Sequence, residues 1–540
     1  MMKQTIIFIL LIAITITGNA QERMGFGFFT DRDVYVSGET LLTKIYHTTD
    51  NPSRIVYVDL VNPFGTRISG VSIEIKNNEA NGFLQLPDSL STGTYLLRGY
   101  MKNTAEKLKI IREIWISNRF DGLEKTRQLK QVTELQTIQE ESDKQINIQG
   151  VETDYTTNSN ATANIKIEKT LLKEIEGTLL VSIAQADPAF KSTAYIWSSN
   201  QGKEGLTEGK GIILSGTITD KKTTLPASNV TVYLTIPDSI PGFQYYQTQA
   251  DGRFYFQLEN YYGMVQAFVQ CFGSSPSQRL KIKMDELYAE PGTLPMFSEK
   301  PISEEFKSNT IRNMDAVTFQ KVFGQEKLKL EAPPKRALDS YPYYGKASNK
   351  VDPQLFIDLP NFSEISKELL PGVKFRNYNN EPTMQVINSA AREYFSELPL
   401  ILIDGIPIRN LNVIKDMGTP DIKRIEICQS ERYYGNLRFP GIVAIYTTKA
   451  DYSRIQDSDQ LIRLKLETIQ LQASLAEPDK SGPDVPDLRQ IFYWNPSVEP
   501  NENLPVKFST SSILGKFSIV VRGRLKNGTM VFAEKQFEVK

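Results

Sequence analysis

Few side chains in this 540-residue chain are of the kinds that make or break bonds. There is one histidine, His47, and there are two cysteines, Cys271 and Cys428. A Ser-His-Asp or Cys-His relay would have to pass its proton through His47. That residue sits in a strand-like stretch, LLTKIYHTTD, and reads as an ordinary strand or turn residue. A structural zinc site usually takes four Cys or His ligands, and three such residues scattered over three regions do not supply one. Asp31, Asp33 and Glu39 carry oxygens that could bind calcium, although acids flanking a turn at a sandwich edge are the commoner arrangement. Asp404 before Gly405 could be read as a catalytic acid, but turn formation explains it fully. No phosphate-cradling glycine loop, basic stripe or paired-carboxylate arrangement stands out. What remains is aromatic: Tyr245-Tyr246, Tyr261-Tyr262, Tyr341-Pro342-Tyr343-Tyr344 and Tyr433-Tyr434. Exposed tyrosines stack on sugars or anchor protein interfaces. The chemistry is that of a binding protein, with no catalytic residues, no cofactor and no metal expected.

Composition agrees with that reading. With 62 Lys+Arg against 63 Asp+Glu, no global field draws nucleic acid or an anionic membrane. Hydrophobic residues at 40% and charged residues at 23% are near globular averages, so the bulk should fold, and the length implies several domains. Residues 1–20 read as a secretory signal peptide: Lys3, the apolar run Ile6–Ile16, then Gly18 and Ala20 at the small-residue positions of a cleavage site. No Cys follows to take a lipid, and no later stretch is apolar for long enough to span a membrane. Export follows, to the periplasm or to an outer-membrane-associated position in a Gram-negative bacterium. Two cysteines in an exported chain of this length make no disulfide scaffold. The expectation is two semi-buried thiols, with a single inter-domain disulfide as the alternative.

The elements are mostly short strands. Over residues 26–120, runs such as Leu41–Tyr46, Ile55–Leu60, Tyr95–Tyr100 and Ile110–Ile116 alternate with turn residues at the spacing of a β-sandwich. Residues 121–145 read as a solvated helix or linker, 146–205 as an Ig-like β domain, and 206–272 as another sandwich. In the last of these, Asp251-Gly252 supplies a hairpin turn. Residues 273–350, rich in Pro, Lys, Glu and Ser, read as a connector with short helices packed across neighbouring domains. Residues 351–450 change character. Helix-compatible stretches Phe362–Leu370 and Asn410–Met417 alternate there with strands Ile401–Ile403, Ile422–Cys428 and Ile442–Thr447. Residues 451–540 return to strands, with Asn527-Gly528 as a type I′ hairpin turn.

Several of these runs resemble known families. TDRDVYVSGETL (30–41) and LPDSLSTGTYLLRGYM (86–101) resemble the opening and penultimate strands of the MG2-like domain of bacterial macroglobulins. That family's thioester motif is Cys-Gly-Glu-Gln. The nearest run here, Cys428-Gln429-Ser430-Glu431, lacks the Gly, has Glu in place of the Gln and lies in another domain, so no thioester chemistry is expected. GTLLVSIAQAD (177–187) resembles the closing strand of a macroglobulin-type Ig sandwich, and 211–258 resembles the carboxypeptidase-regulatory or transthyretin-like sandwich. LPLILIDGIPI (398–408) and PDIKRIEICQSERYYGNLRFPGIVAIYTTK (420–449) resemble the plug domain of TonB-dependent outer-membrane transporters. The matching positions are Asp404, Gly405, Arg424, Glu426, Gly435 and Gly441. A transporter's barrel needs several hundred further residues of alternating strand, and about ninety follow Lys449.

These runs predict a multi-domain, mainly β protein of tandem Ig-like and macroglobulin-type sandwiches with a small α/β plug-like domain. The expected order is 1–20 signal, 21–120 MG2-like, 121–145 linker, 146–205 Ig-like and 206–272 regulatory-like, then 273–350 connector, 351–450 plug-like and 451–540 Ig-like. The expected function is docking onto an outer-membrane β-barrel or another envelope protein through a plug-like domain that has no barrel of its own. The predicted contact surface is Arg432, Tyr433, Tyr434 and Arg438, because Tyr and Arg concentrate at interface centres. The alternatives are an accessory carbohydrate- or peptide-binding protein for nutrient uptake and a glycosidase-type enzyme using Asp/Glu pairs.

Overall fold

A computed structural model describes residues 27–540 apart from 48–50, 124, 130–134, 139, 188–189, 191, 199–203, 273–278, 293–296, 324–327, 335–340, 379–380, 451 and 477–484. The expected signal peptide lies outside the described residues. The protein is mainly β and built from many sheets.

Alternating apolar residues close the first sandwich. One sheet orders Gly27–Thr30, Thr40–Tyr46 and Glu79–Gln85; the other carries Ile55–Val61, Arg67–Glu74, Gly93–Tyr100 and Leu108–Ser117. Phe28, Ile45, Val58, Leu97 and Ile114 meet between them. Part of 121–145, expected as helix or linker, is strand instead: Leu135–Thr137 pairs with Ala194–Ser198, which pairs in turn with Leu108–Ser117.

The run at 30–41 folds into a buried polar lock. Asp31 accepts from the Leu42 amide (2.6 Å) and from the Tyr35 hydroxyl (2.9 Å), and Glu39 accepts from the Val36 amide (2.8 Å). Arg32 lies between the two acids, 3.2 Å from Asp31 and 2.7 Å from Glu39, while Asp33 takes Arg112 at 2.7 Å. The three oxygen-bearing candidates for calcium are thus engaged by guanidinium and backbone groups.

The spans 146–205 and 451–540 do not close separately. Asn160–Ile167 lies between Ile146–Gln149 and Asn503–Ser509. Facing that sheet, Ile175–Gln185 lies between Ile491–Val498 and Gly515–Leu525, and Met530–Val539 adds to the latter. The reason is the inward face of each strand: Ala163, Ile165 and Ile167 need the cover that Val506, Phe508, Phe517 and Phe537 supply. Among positions 526–528 only Gly528 has positive φ (82°), and its amide donates to Leu525 O at 2.8 Å. The hairpin is therefore a type I turn followed by a left-handed glycine rather than the expected type I′.

Residues 212–284 form a third sandwich, and Leu461–Glu467 pairs with Met264–Phe272 to complete one of its sheets. The expected connector contains a 19-residue helix, Glu304–Val322, longer than the short helices anticipated. Ser303 caps it by accepting from the Phe306 amide, and Phe306 packs edge-on to Trp115 with centroids 5.7 Å apart. Residues 349–447 make a mixed sheet ordered Asn349–Val351, Ile422–Cys428, Ile442–Thr447, Leu400–Ile403 and Ile406–Ile408. Helices Phe362–Leu369 and Asn412–Lys415 and the strands Val373–Tyr378 and Glu381–Asn388 pack on it.

Candidate functional site

The predicted contact residues lie on one hairpin, Arg432–Tyr434 paired with Leu437–Phe439. Gly435 turns it with φ of 56°. Most of its polar groups are engaged within the chain. The Tyr434 hydroxyl donates to Phe243 O at 3.0 Å, the Asn436 amide donates to the Tyr245 hydroxyl at 2.9 Å, and Arg432 donates to Lys346 O at 2.9 Å. Arg438 bridges Glu397 (2.7 Å) and Glu431 (2.6 Å), and its bond to Glu431, with one from Tyr433, holds the Glu431 carboxyl below its ordinary range. Tyr343 stacks on Phe243 at 4.1 Å and meets Tyr434 edge-on. Tyr434 is thereby a clamp on the 212–284 sandwich, whereas Tyr433, 64% exposed, faces outward.

The six motif positions are structural in their contacts. Asp404 (φ 48°) and Gly405 (φ 86°) form a two-residue turn, both with positive φ as a type I′ hairpin requires. The Asp404 carboxylate accepts from the Thr447 amide (2.8 Å) and hydroxyl (2.6 Å), locking that turn to the neighbouring strand. Arg424 pairs with Glu426 at 3.1 Å and lies over the Tyr446 ring at 4.1 Å, while Glu426 also accepts from Tyr344 at 3.1 Å. Gly441 precedes the strand Ile442–Thr447, and its amide donates to Phe439 O.

The reactive side chains are placed away from this surface. His47 is buried beside Arg524, and burial first, then that guanidinium, lowers its pKa to about 4. Cys271 and Cys428 are buried free thiols in separate apolar clusters. Burial pushes Cys271 up to about 12, and it raises Cys428 as well. No group of three or more potential metal ligands occurs among the described residues.

Two features were missed in the sequence. The first is an exposed apolar tip on the 349–447 unit: Leu355, Phe356 and Ile357 are 80%, 58% and 70% exposed. Three consecutive large apolar residues in a Pro-flanked loop were the available signal. The second is a cleft of about 970 Å³ between the edge strand Ile491–Val498, the strand Glu79–Gln85 and Ala473–Leu475. Its floor holds Leu42, Phe83, Leu475, Ile491 and Trp494. Only the fold brings these residues together.

No protein-family model matches the chain, and no curated protein matches it. Among solved structures it is similar to Salmonella alpha-2-macroglobulin reacted with methylamine, at 10% identity and a TM-score of 0.22, over 95% of this chain and 39% of that one. Trypsin-activated alpha-2-macroglobulin from Escherichia coli is similar at 8% identity and a TM-score of 0.22, over 96% and 42%. A chimeric titin Z1Z2 follows at 9% identity and a TM-score of 0.13, over 48% and 93%. The chain spans about two fifths of the length of the macroglobulins it matches.

Proposed function

We propose that this chain is a non-enzymatic envelope protein that docks onto an outer-membrane β-barrel partner through residues 351–450, a plug-like unit. The observation that carries the reading is the apolar tip Leu355-Phe356-Ile357, which projects from that unit into solvent. Exposed apolar residues in a contiguous run mark interaction surfaces. Tyr433 adds an exposed aromatic on the same unit. Among the described residues no helix is long and apolar enough to cross a membrane, so anchoring at the outer membrane would come from the partner. A non-catalytic role agrees with the burial of His47, whose pKa falls to about 4, and of Cys271 and Cys428, whose thiols burial pushes up.

Affinity purification of the tagged protein from detergent-solubilised outer membranes tests the proposal. A β-barrel protein should co-purify, and the triple variant L355S/F356S/I357S should lose it while keeping the wild-type melting profile. Recovery of no membrane protein by the wild type would sink the docking reading.

A further inference from the structure

The cleft beside Ile491–Val498 contains a side chain whose polar atoms are unused among the described residues. Gln490 is 4% exposed and lines the cleft, yet among the described residues neither its Oε1 nor its Nε2 has a hydrogen-bond partner. Its backbone is fixed, with the carbonyl accepting from the Gln185 amide at 2.8 Å. The buried Oδ1 of Asn81, on the opposite wall, is also unpartnered, while its Nδ2 donates to Ser497 across the cleft at 2.8 Å. A buried amide left unsatisfied costs roughly 1–3 kcal/mol. Such a group in the wall of a cleft large enough for a ligand is the mark of a contact completed by something else.

The complement of a primary amide is the N–H and C=O of one extended residue, a donor and an acceptor on the same edge of the backbone. The same protein already makes that pairing a short distance away. Gln470 Oε1 accepts from the Phe83 amide at 2.9 Å, and its Nε2 donates to Phe83 O at 2.7 Å, so one glutamine side chain satisfies both groups of an edge-strand residue. Ile491–Val498 ends its sheet, with Ile175–Gln185 on one side and no strand among the described residues on the other. It also carries Pro496, a residue tolerated at sheet edges. Beside that edge the floor is aliphatic and aromatic: Leu42, Ile491, Leu475, Phe83 and Trp494. An extended peptide alternates backbone polar groups with side chains every 3.3 Å or so, and a sheet edge next to an apolar hollow is the arrangement that binds one.

We propose that this cleft is a peptide-binding site that takes an extended segment bearing a large apolar side chain. Gln490 reads the N–H and C=O of one peptide residue as Gln470 reads those of Phe83, and the apolar floor takes the side chain. Every residue involved lies outside 351–450, so the site stands or falls independently of barrel docking.

The test uses the mature chain and a positional-scanning library of acetylated, amidated heptapeptides, followed by Trp fluorescence and calorimetry. Maltoheptaose and chitohexaose serve as carbohydrate competitors. Peptides with Leu, Met or Phe at one position should bind saturably. N-methylation of alternate amides in the best peptide should weaken it at least about tenfold. Gln490→Leu should weaken binding at least about tenfold and raise the melting temperature, because it removes an unsatisfied buried amide. Should that variant fail to fold, Leu475→Lys on the floor must abolish binding instead. Absence of any saturable peptide, displacement by either oligosaccharide, binding indifferent to both variants, or a lowered melting temperature for a folded Gln490→Leu would each overturn the proposal.

Discussion

Asp59 and Arg98 are wholly buried, and their charges are joined by a double hydrogen bond, one arm of which runs from Nε to Oδ1 at 2.8 Å. Burial pushes the Asp59 carboxyl up, and the Arg98 bond and charge oppose it. Arg98 also donates to the carbonyls of Ala289 and Glu290 at 3.1 Å each, so the pair ties the first sandwich to the segment beyond the third. Removing one member leaves the other charged and unpaired, which costs about 3–5 kcal/mol. Arg98→Met should show that loss in urea unfolding. Adding Asp59→Leu should recover part of it, and the two carbonyls left without a donor set what is not recovered. His47 predicts a pH dependence of definite sign. Its pKa is lowered from 6.5 to about 4 by folding, so the unfolded state binds the proton more readily in that window. Stability should be highest above pH 6.5 and fall as pH drops toward 4, by on the order of 3 kcal/mol. His47→Gln should flatten that part of the curve, and an unchanged slope would remove His47 as its source.

Two hairpins show how turn chemistry sets contacts beyond the turn. Gly435 sits against the Tyr245 hydroxyl so closely that an added Cβ would lie 2.2 Å from it. Gly435→Ala would meet that contact and a left-handed backbone together, costing about 1–3 kcal/mol at such a position. The expected result is faster amide exchange through Arg432–Phe439, with the strand Ile442–Thr447 unaffected. Tyr434→Phe, which loses the bond to Phe243 O, should cost about 1 kcal/mol. An identical effect from both changes would contradict the clamp. Asp404-Gly405 was legible as a turn because its chemistry is local. At Asp251-Gly252 only the glycine has positive φ, and the strands on either side, Gly242–Gln247 and Arg253–Leu258, lie in different sheets, so the expected hairpin turn is a link between sheets. At Asn527-Gly528 only the glycine has positive φ as well. A dipeptide names the turn residue; which strands pair on either side decides the turn.

At the scale of the whole molecule, the last ninety residues are distributed rather than terminal. Leu461–Glu467 completes a sheet of the 212–284 sandwich, and Ile491–Val539 supplies strands to the sandwich begun at 146–185. A chain ending at residue 450 should therefore expose Ala163, Ile165, Ile183 and Val269, all covered in the intact protein. Limited proteolysis is expected to cut such a truncation within 140–185 and 212–284. The 349–447 sheet, which draws its strands from its own span, should resist longer. Resistance of 140–185 equal to that in the full chain would show that the shared sheets are dispensable.

Read alone, the residues determined what local chemistry can determine. The β class follows from alternating apolar runs, the helices near 362–369 and 412–415 from helix-compatible stretches, and the turn at Asp404-Gly405 from residue type. The roles of Tyr434 and Arg438 were half visible, since residue type marks a contact-former without saying whether the contact is internal or external. Tertiary structure alone decided which strands share a sheet, because a strand's pattern shows that a face must be covered and not by what. It also decided the cleft, where Gln490, Asn81 and Trp494 come from segments up to about four hundred residues apart. An unsatisfied amide is a property of surroundings, and no spacing along the chain records it.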